Sequence, residues 1–128
     1  MLWESNDDGQ SWRKHGTHGS FGAYGEMYAR FLQLRDGRVL LTFTVRSNST
    51  DGPSLGLRAL LSSHEGHTWD FTRDRILIGD VNHGSSGGGF GNTIELSDGT
   101  LCSVHSYRGT DNTTHVEAVR WALPPVKP

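Results

Sequence analysis

The chain has 128 residues, a formal net charge of −2, 34% hydrophobic and 20% charged residues, and 17 glycines, which is the make-up of a single globular unit. The slight negative charge offers no pull toward a phosphate backbone, so nucleic acid is not an expected partner. No apolar run approaches the ~18–20 residues needed to span a bilayer, so no membrane is expected as a partner either. One cysteine, Cys102, precludes an internal disulfide framework and leaves the redox compartment open.

Seventeen Gly and four Pro favour chain reversals over long helices, and the expected fold class is all-β. The first residues, Met1 to Asp8, lack the basic start and apolar stretch of a signal peptide. They run instead into Ser5-Asn6-Asp7-Asp8-Gly9-Gln10-Ser11-Trp12, a polar bend, with a strand expected after it near Arg13–His18. The next signal is Phe31-Leu32-Gln33-Leu34-Arg35-Asp36-Gly37-Arg38-Val39-Leu40, in which Asp-Gly sits between apolar runs. That is a strong hairpin pattern, because such a turn needs a positive φ. A third strand follows at Gly56-Leu57-Arg58-Ala59-Leu60, then a second polar bend, Ser62-Ser63-His64-Glu65-Gly66-His67-Thr68-Trp69, then a fourth strand at Arg75–Ile78.

These features recur. The Asp-Gly hairpin returns 62 positions later, from Asp36 to Asp98, in Thr93-Ile94-Glu95-Leu96-Ser97-Asp98-Gly99-Thr100-Leu101-Cys102. The third strand returns 59 positions later as His115-Val116-Glu117-Ala118-Val119, and the polar bend relates Ser5 to Ser62 at a spacing of 57. The loops before the third strands differ in length, and loops absorb insertions that ladders do not. Four antiparallel strands in a unit of about 60 residues is the composition of a propeller blade. The expected division is residues 1–20 as the end of one blade, 21–80 as a complete blade, and 81–128 as a last blade without its fourth strand.

Ser5-x-Asp7-x-Gly9-x-x-Trp12 resembles the Asp-box, or bacterial neuraminidase repeat, of the sialidase superfamily at all four defining positions. The second copy keeps Ser62, Gly66 and Trp69 but has His64 in place of Asp, which predicts a looser turn. The resemblance covers nearly the whole chain and implies about two and a half blades of a six-bladed β-propeller. It also implies that the box residues are structural, with Ser and Asp capping backbone N–H groups, Gly taking a conformation other residues resist, and Trp filling the gap between strands.

For function, the resemblance implies a carbohydrate partner, an anionic sugar among the options, and a glycosidase that needs no cofactor. Sialidases use an arginine triad for the substrate carboxylate, an Asp acid/base, and a Tyr nucleophile assisted by Glu, an exception among glycosidases. Clustered arginines suit a planar carboxylate because their forked N–H groups bind it in pairs. Carried over by position, Glu26 is the catalytic candidate, and Arg46, Arg58 and Arg108 are the substrate-binding candidates. Glu26 and Arg46 flank the Asp36-Gly37 turn almost symmetrically, so antiparallel pairing sets them near one another.

The position of the Tyr nucleophile is held by Phe90, which has no hydroxyl; Tyr24 and Tyr107 are the phenols that remain. The acid/base Asp and a triad Arg belong to earlier blades, expected before Met1 together with the rest of the ring. This stretch alone is therefore expected to be catalytically incomplete, since acid–base help is worth about 10²–10⁴ in rate. The alternative is a non-catalytic glycan-binding or protein-binding propeller, or a truncated reading frame. His15-x-x-His18 and His64-x-x-His67 invite a metal, but no Cys or acidic residue stands at zinc-site spacing and residues i and i+3 of a strand face opposite sides. No metal is expected. The Gly84–Gly89 run has no Lys after it and no helix, and reads as an inter-blade loop.

Overall fold

The computed structural model describes residues 3–14, 26–45, 56–62, 65–69, 76–79, 91–108 and 111–123, with backbone alone at 26, 27, 76–79, 107 and 108. Among these residues every regular element is a strand, arranged as three antiparallel sheets. The first is a hairpin of β1 (Trp3–Glu4) and β2 (Arg13–Lys14). The second is a four-stranded meander of β3 (Glu26–Gln33), β4 (Val39–Val45), β5 (Gly56–Ser62) and β6 (Ile76–Gly79). The third joins β7 (Gly91–Glu95), β8 (Leu101–Arg108) and β9 (Thr114–Trp121). Within each sheet, neighbours in sequence are neighbours in space, and the fourth strand expected from Arg75 begins at Ile76.

The two Asp-Gly hairpins are superposable in their bonding. Leu34 C=O accepts from Gly37 N–H at 3.0 Å and Leu34 N–H donates to Arg38 C=O at 2.8 Å; Leu96, Gly99 and Thr100 repeat both bonds at 3.0 and 2.8 Å. The positive φ falls on Gly37 (87°) and Gly99 (80°), and neither aspartate shares it. Each loop is thus a three-residue turn ending in a left-handed glycine, a position that costs an L-residue steric strain. The aspartates act as side-chain caps: Asp36 Oδ1 accepts from Arg38 N–H, and Asp98 Oδ1 from Thr100 N–H, both at 3.0 Å.

Alternation along β4 and β5 divides the core between two faces. On one face Leu40, Leu57 and Ala59 bury with Leu34 of the adjoining turn and with Leu101 of the third sheet, while Val119, Trp121 and Leu123 close around them. This cluster joins the second sheet to the third, and each fully buried Leu in it contributes about 1.5–3 kcal/mol. On the other face Leu41, Phe43, Val45 and Leu60 lie under Trp69, whose ring stands 6.1 Å from that of Phe31.

The second and third sheets stack in the same strand order, since β3 touches β7 and β6 touches β9. Their turns are tied as well. Arg35 N–H donates to Glu95 Oε2 at 2.9 Å, and Arg35 Nη1 donates to Ser97 O at 3.2 Å. Within the third sheet, Trp121 Nε1 donates to Ser103 Oγ at 2.9 Å, and that hydroxyl lies 2.7 Å from Thr93 Oγ1, so these three polar groups satisfy one another.

Candidate functional site

Each sheet has a turn end and an open end, and the sequence-predicted residues divide cleanly between them. At the turn end lie both Asp-Gly loops and both Ser/Gly/Trp bends, because β5 ends at Ser62 opposite the start of β4 at Val39. At the open end lie the start of β3 at Glu26, the end of β4 at Val45, the start of β5, the end of β8 at Arg108 and the start of β9.

The turn end is built by local bonding. Ser5 Oγ accepts from Gly9 N–H at 2.8 Å and donates to Asp7 Oδ1 at 2.8 Å. Asp7 also accepts from Ser11 N–H at 2.8 Å and from Ser11 Oγ at 2.5 Å. The Ser11 hydroxyl, then the Ser11 amide, then Ser5 pull the Asp7 carboxyl from its ordinary 3.8 down to about 2, because each donor favours the ionised form. Trp12 Nε1 closes the bend on Gly9 O at 3.1 Å.

The second bend repeats this path. Gly66 N–H donates to Ser62 Oγ at 3.0 Å, and Glu65 (φ 52°) and Gly66 (φ 83°) copy Asp8 (54°) and Gly9 (85°). A Cβ at either glycine would stand 3.7 Å from the indole of Trp12 or Trp69, so the ring lies on the glycine in both. His64 lies outside the described residues, and so does the looseness expected there. The two tryptophans differ in surroundings: Trp69 covers the Phe43 cluster, while Trp12 is exposed. A shallow concavity of about 270 Å³ opens beside the first bend, lined by Glu4, Asn6, Asp7, Ser11, Trp12 and Arg13, but its carboxylates are already engaged: Glu4 pairs with Arg13 at 2.7 Å, and Asp7 is held by Ser5 and Ser11. His67 approaches Glu4 at 3.7 Å, linking the two bends.

The open end holds the sequence-predicted Glu26, Arg58 and Arg108. Glu26 begins β3 as expected, but its backbone partner is Val45. The register from Gln33–Val39 to Arg30–Thr42, continued without interruption, would set Glu26 opposite Arg46; a bulge between Met27 and Arg30, with Tyr28 at φ 59°, takes up one residue and ends that symmetry. Arg46 itself lies outside the described residues, as do Phe90, Tyr24 and the Gly84–Gly89 run. Arg108 ends β8 opposite Thr114 and Tyr107 lies opposite His115, both placed by backbone register alone.

Arg58 is not a solvated edge residue. It lies in β5 between Phe43 of β4 and Leu77 of β6, and is 6% exposed. A guanidinium so placed keeps its charge at any ordinary pH, and its aliphatic stem fills core volume.

Two further pairs at this end escape a strand-by-strand reading. His105 is wholly buried, pairs with Gly91 of β7 and Glu117 of β9, and puts Nε2 3.0 Å from Glu117 Oε2. The approach is off the angle of a hydrogen bond, so its strength is that of a charge pair, present when the imidazole is protonated. Gly91 makes room for this: a Cβ there would stand 2.1 Å from Val104 O and 3.1 Å from His105 Cβ. On the adjoining loop, His115 Nε2 lies 3.3 Å from Asp111 Oδ1, which also accepts from Thr113 N–H at 3.0 Å. The Thr113 amide first, and His115 second, hold the Asp111 carboxyl below its ordinary value. The signal for these pairs was the loop centre: a turn centred on Asp111 sets His105 opposite Glu117 and Arg108 opposite Thr114.

The open end therefore combines a buried guanidinium, a buried imidazole beside a half-exposed carboxylate, and a second imidazole–carboxylate pair at the rim. Such a set can bind a polar or anionic ligand. Among the described residues, no group of three His, Cys, Asp or Glu side chains converges as a metal site would require. Comparison of the chain with family models, with curated proteins and with solved structures gave no match.

Proposed function

We propose that the chain is part of a sialidase-like β-propeller of the glycoside hydrolase kind, with a carbohydrate as the partner met by the open strand ends. The observation that carries this reading is the repeat itself. Two successive sheets share their hairpin bonding and stack in one strand order, and a Ser/Gly/Trp bend of the same backbone shape recurs before and within the larger of them. The bends fall at one end, while Glu26, Arg58 and Arg108 lie toward the other, which supports a division between structural and ligand-facing sides.

In this reading Arg58 and Arg108 hold an anionic group of the sugar, Glu26 assists the reacting group, and the missing steps come from residues elsewhere in the ring. Phe90 at the nucleophile position argues that cleavage by a phenolate route is absent from this stretch. The second reading, a propeller that binds glycans or proteins without hydrolysis, is favoured by that same Phe90.

A glycan array probed with the purified chain, followed by incubation with fluorogenic sialosides, tests the carbohydrate reading. Binding to sialylated or other acidic glycans that weakens about tenfold or more in Arg108→Ala supports the carbohydrate reading, a tenfold loss corresponding to ~1.4 kcal/mol. Robust turnover of the sialoside by this chain overturns the Phe90 argument, and binding to no glycan overturns the carbohydrate reading.

A further inference from the structure

Among the described residues, four other than glycine have a positive φ, and Tyr28 stands apart from the other three. Asp8, Glu65 and Asn112 lie in polar bends and loops, the first two at the same place in the two Ser/Gly/Trp bends. Tyr28 lies within β3, at φ 59°. Aspartate and asparagine enter the left-handed region with the least penalty, whereas a bulky aromatic residue there is held against its own steric preference.

The repeated hairpin does not demand that conformation. β7, the first strand of the third sheet, pairs with β8 from Gly91–His105 to Glu95–Leu101 without a break. In β3 the pairs Met27–Thr44 and Arg30–Thr42 leave Tyr28 and Ala29 together opposite Phe43. Two residues against one is a bulge, which re-aims a side chain, and strain of this kind persists where a ligand is met.

The bulge also falls at a telling place. Tyr28 is the third residue of β3, at the open end and two positions from Glu26, and Phe43 opposite it pairs in turn with Arg58 of β5. One cross-strand row therefore holds both the bulge and the buried guanidinium, with β4 between them. Tyr28 is 41% exposed, on the edge strand of a four-stranded sheet that has the β1–β2 hairpin before it in sequence and the third sheet after it. The repeat spacing of 62 relates Tyr28 to Phe90, so both units carry an aromatic residue at this position.

We infer that Tyr28 is a ligand-contact residue whose ring is the platform for the apolar face of a pyranose, and that the bulge and its strained φ are kept because they present that ring. This rests on the carbohydrate reading and adds the contact that arginines do not make. Guanidinium groups take the charged and hydroxyl oxygens of a sugar through directed hydrogen bonds. The flat C–H face of the sugar is left for a large apolar surface, which an aromatic ring supplies.

Opposed changes in binding and stability test it. The full chain and its variants Tyr28→Gly, Tyr28→Asn and Tyr28→Phe are titrated on one array of sialylated, uronic-acid and neutral oligosaccharides, and each is unfolded in urea. Glycine and asparagine accept a φ of 59° more readily than tyrosine. Both variants should therefore unfold at a higher urea midpoint than the parent chain, while their affinity for the glycans it binds falls about tenfold or more. Tyr28→Phe keeps the ring and the strain, and should bind within about threefold of the parent. Undiminished binding by the glycine and asparagine variants overturns this inference and leaves the carbohydrate reading standing. A lower urea midpoint in both means that the tyrosine ring itself stabilises the bulge, which overturns it as well, and loss of binding in Tyr28→Phe transfers the contact to the hydroxyl and overturns the platform. A parent chain that binds no glycan on the array overturns the carbohydrate reading and this inference with it.

Discussion

Replacing Leu101 by Ala tests whether the second and third sheets form one packed body. Leu101 is fully buried, belongs to the third sheet, and shares its cluster with Leu34, Leu40, Leu57 and Ala59 of the second sheet and its turn. The substitution removes three carbons, and at ~0.8 kcal/mol for each buried methylene the transfer loss alone is about 2.4 kcal/mol. The cavity left behind raises the expected cost to the range of about 2–5 kcal/mol measured for such truncations. Urea unfolding followed by tryptophan emission is a suitable assay, because Trp121 packs against the same cluster. The control is Val116→Ala on the open face, where a change within about 0.5 kcal/mol is expected. Combining Leu101→Ala with Leu40→Ala should depart from additivity by about 0.5 kcal/mol or more, since the two side chains share one cavity. A cost for Leu101→Ala no larger than that of the control, with strict additivity, would refute the reasoning: the sheets would then fold side by side without supporting one another.

Ser103→Ala strips the shared acceptor from Trp121 Nε1 and the partner from Thr93 Oγ1; the expected loss is about 1–3 kcal/mol, read by the same urea titration, with Ser103→Thr losing less. The Asp7 carboxyl titrates at about 2 in the folded bend against an ordinary 3.8. The folded pKa is the lower one, so its stabilising effect is complete above pH 3.8 and is lost as pH falls from there through about 2. The Ser11 amide, which donates to Asp7, should report this midpoint in a proton–nitrogen correlation spectrum; a midpoint near 3.8 would contradict the bonding described, and Asp7→Asn should abolish the titration. Gly91→Ala places a methyl against Val104 O, and the expected result is about 1–3 kcal/mol of destabilisation with faster amide exchange along β7, whereas Gly99→Ala should cost stability through its φ of 80° without exposing β7.

Much of the fold was legible because its signals are local. Asp-Gly between alternating apolar runs marks a hairpin whichever sheet it lies in, and both hairpins form where that pattern occurs, at Asp36-Gly37 and Asp98-Gly99. The bends were legible for the same reason, since Ser5 and Ser62 cap glycines four residues on. Register at the open end was not legible. The bulge at Tyr28 carries no Gly or Pro to announce it, yet it moves Glu26 from Arg46 to Val45. The burial of Arg58 was not legible either, because a charged residue in a strand gives no sign of the neighbours that cover it, and here β4 and β6 flank it on both sides. His105 and Glu117 were passed over because each is unremarkable alone; only the pairing of β8 with β9 brings their side chains to 3.0 Å. Local chemistry is written in adjacent residues, while the site is written in cross-strand register, which one displaced residue resets.

The most direct test of the repeat as a stacked structure is a methyl-resolved nuclear Overhauser spectrum of the chain. The account predicts cross-peaks from the Leu101 methyls to those of Leu40 and Leu57, and from the Trp121 indole to the same cluster. Cross-peaks from Leu101 confined to β7, β8 and β9 would contradict it.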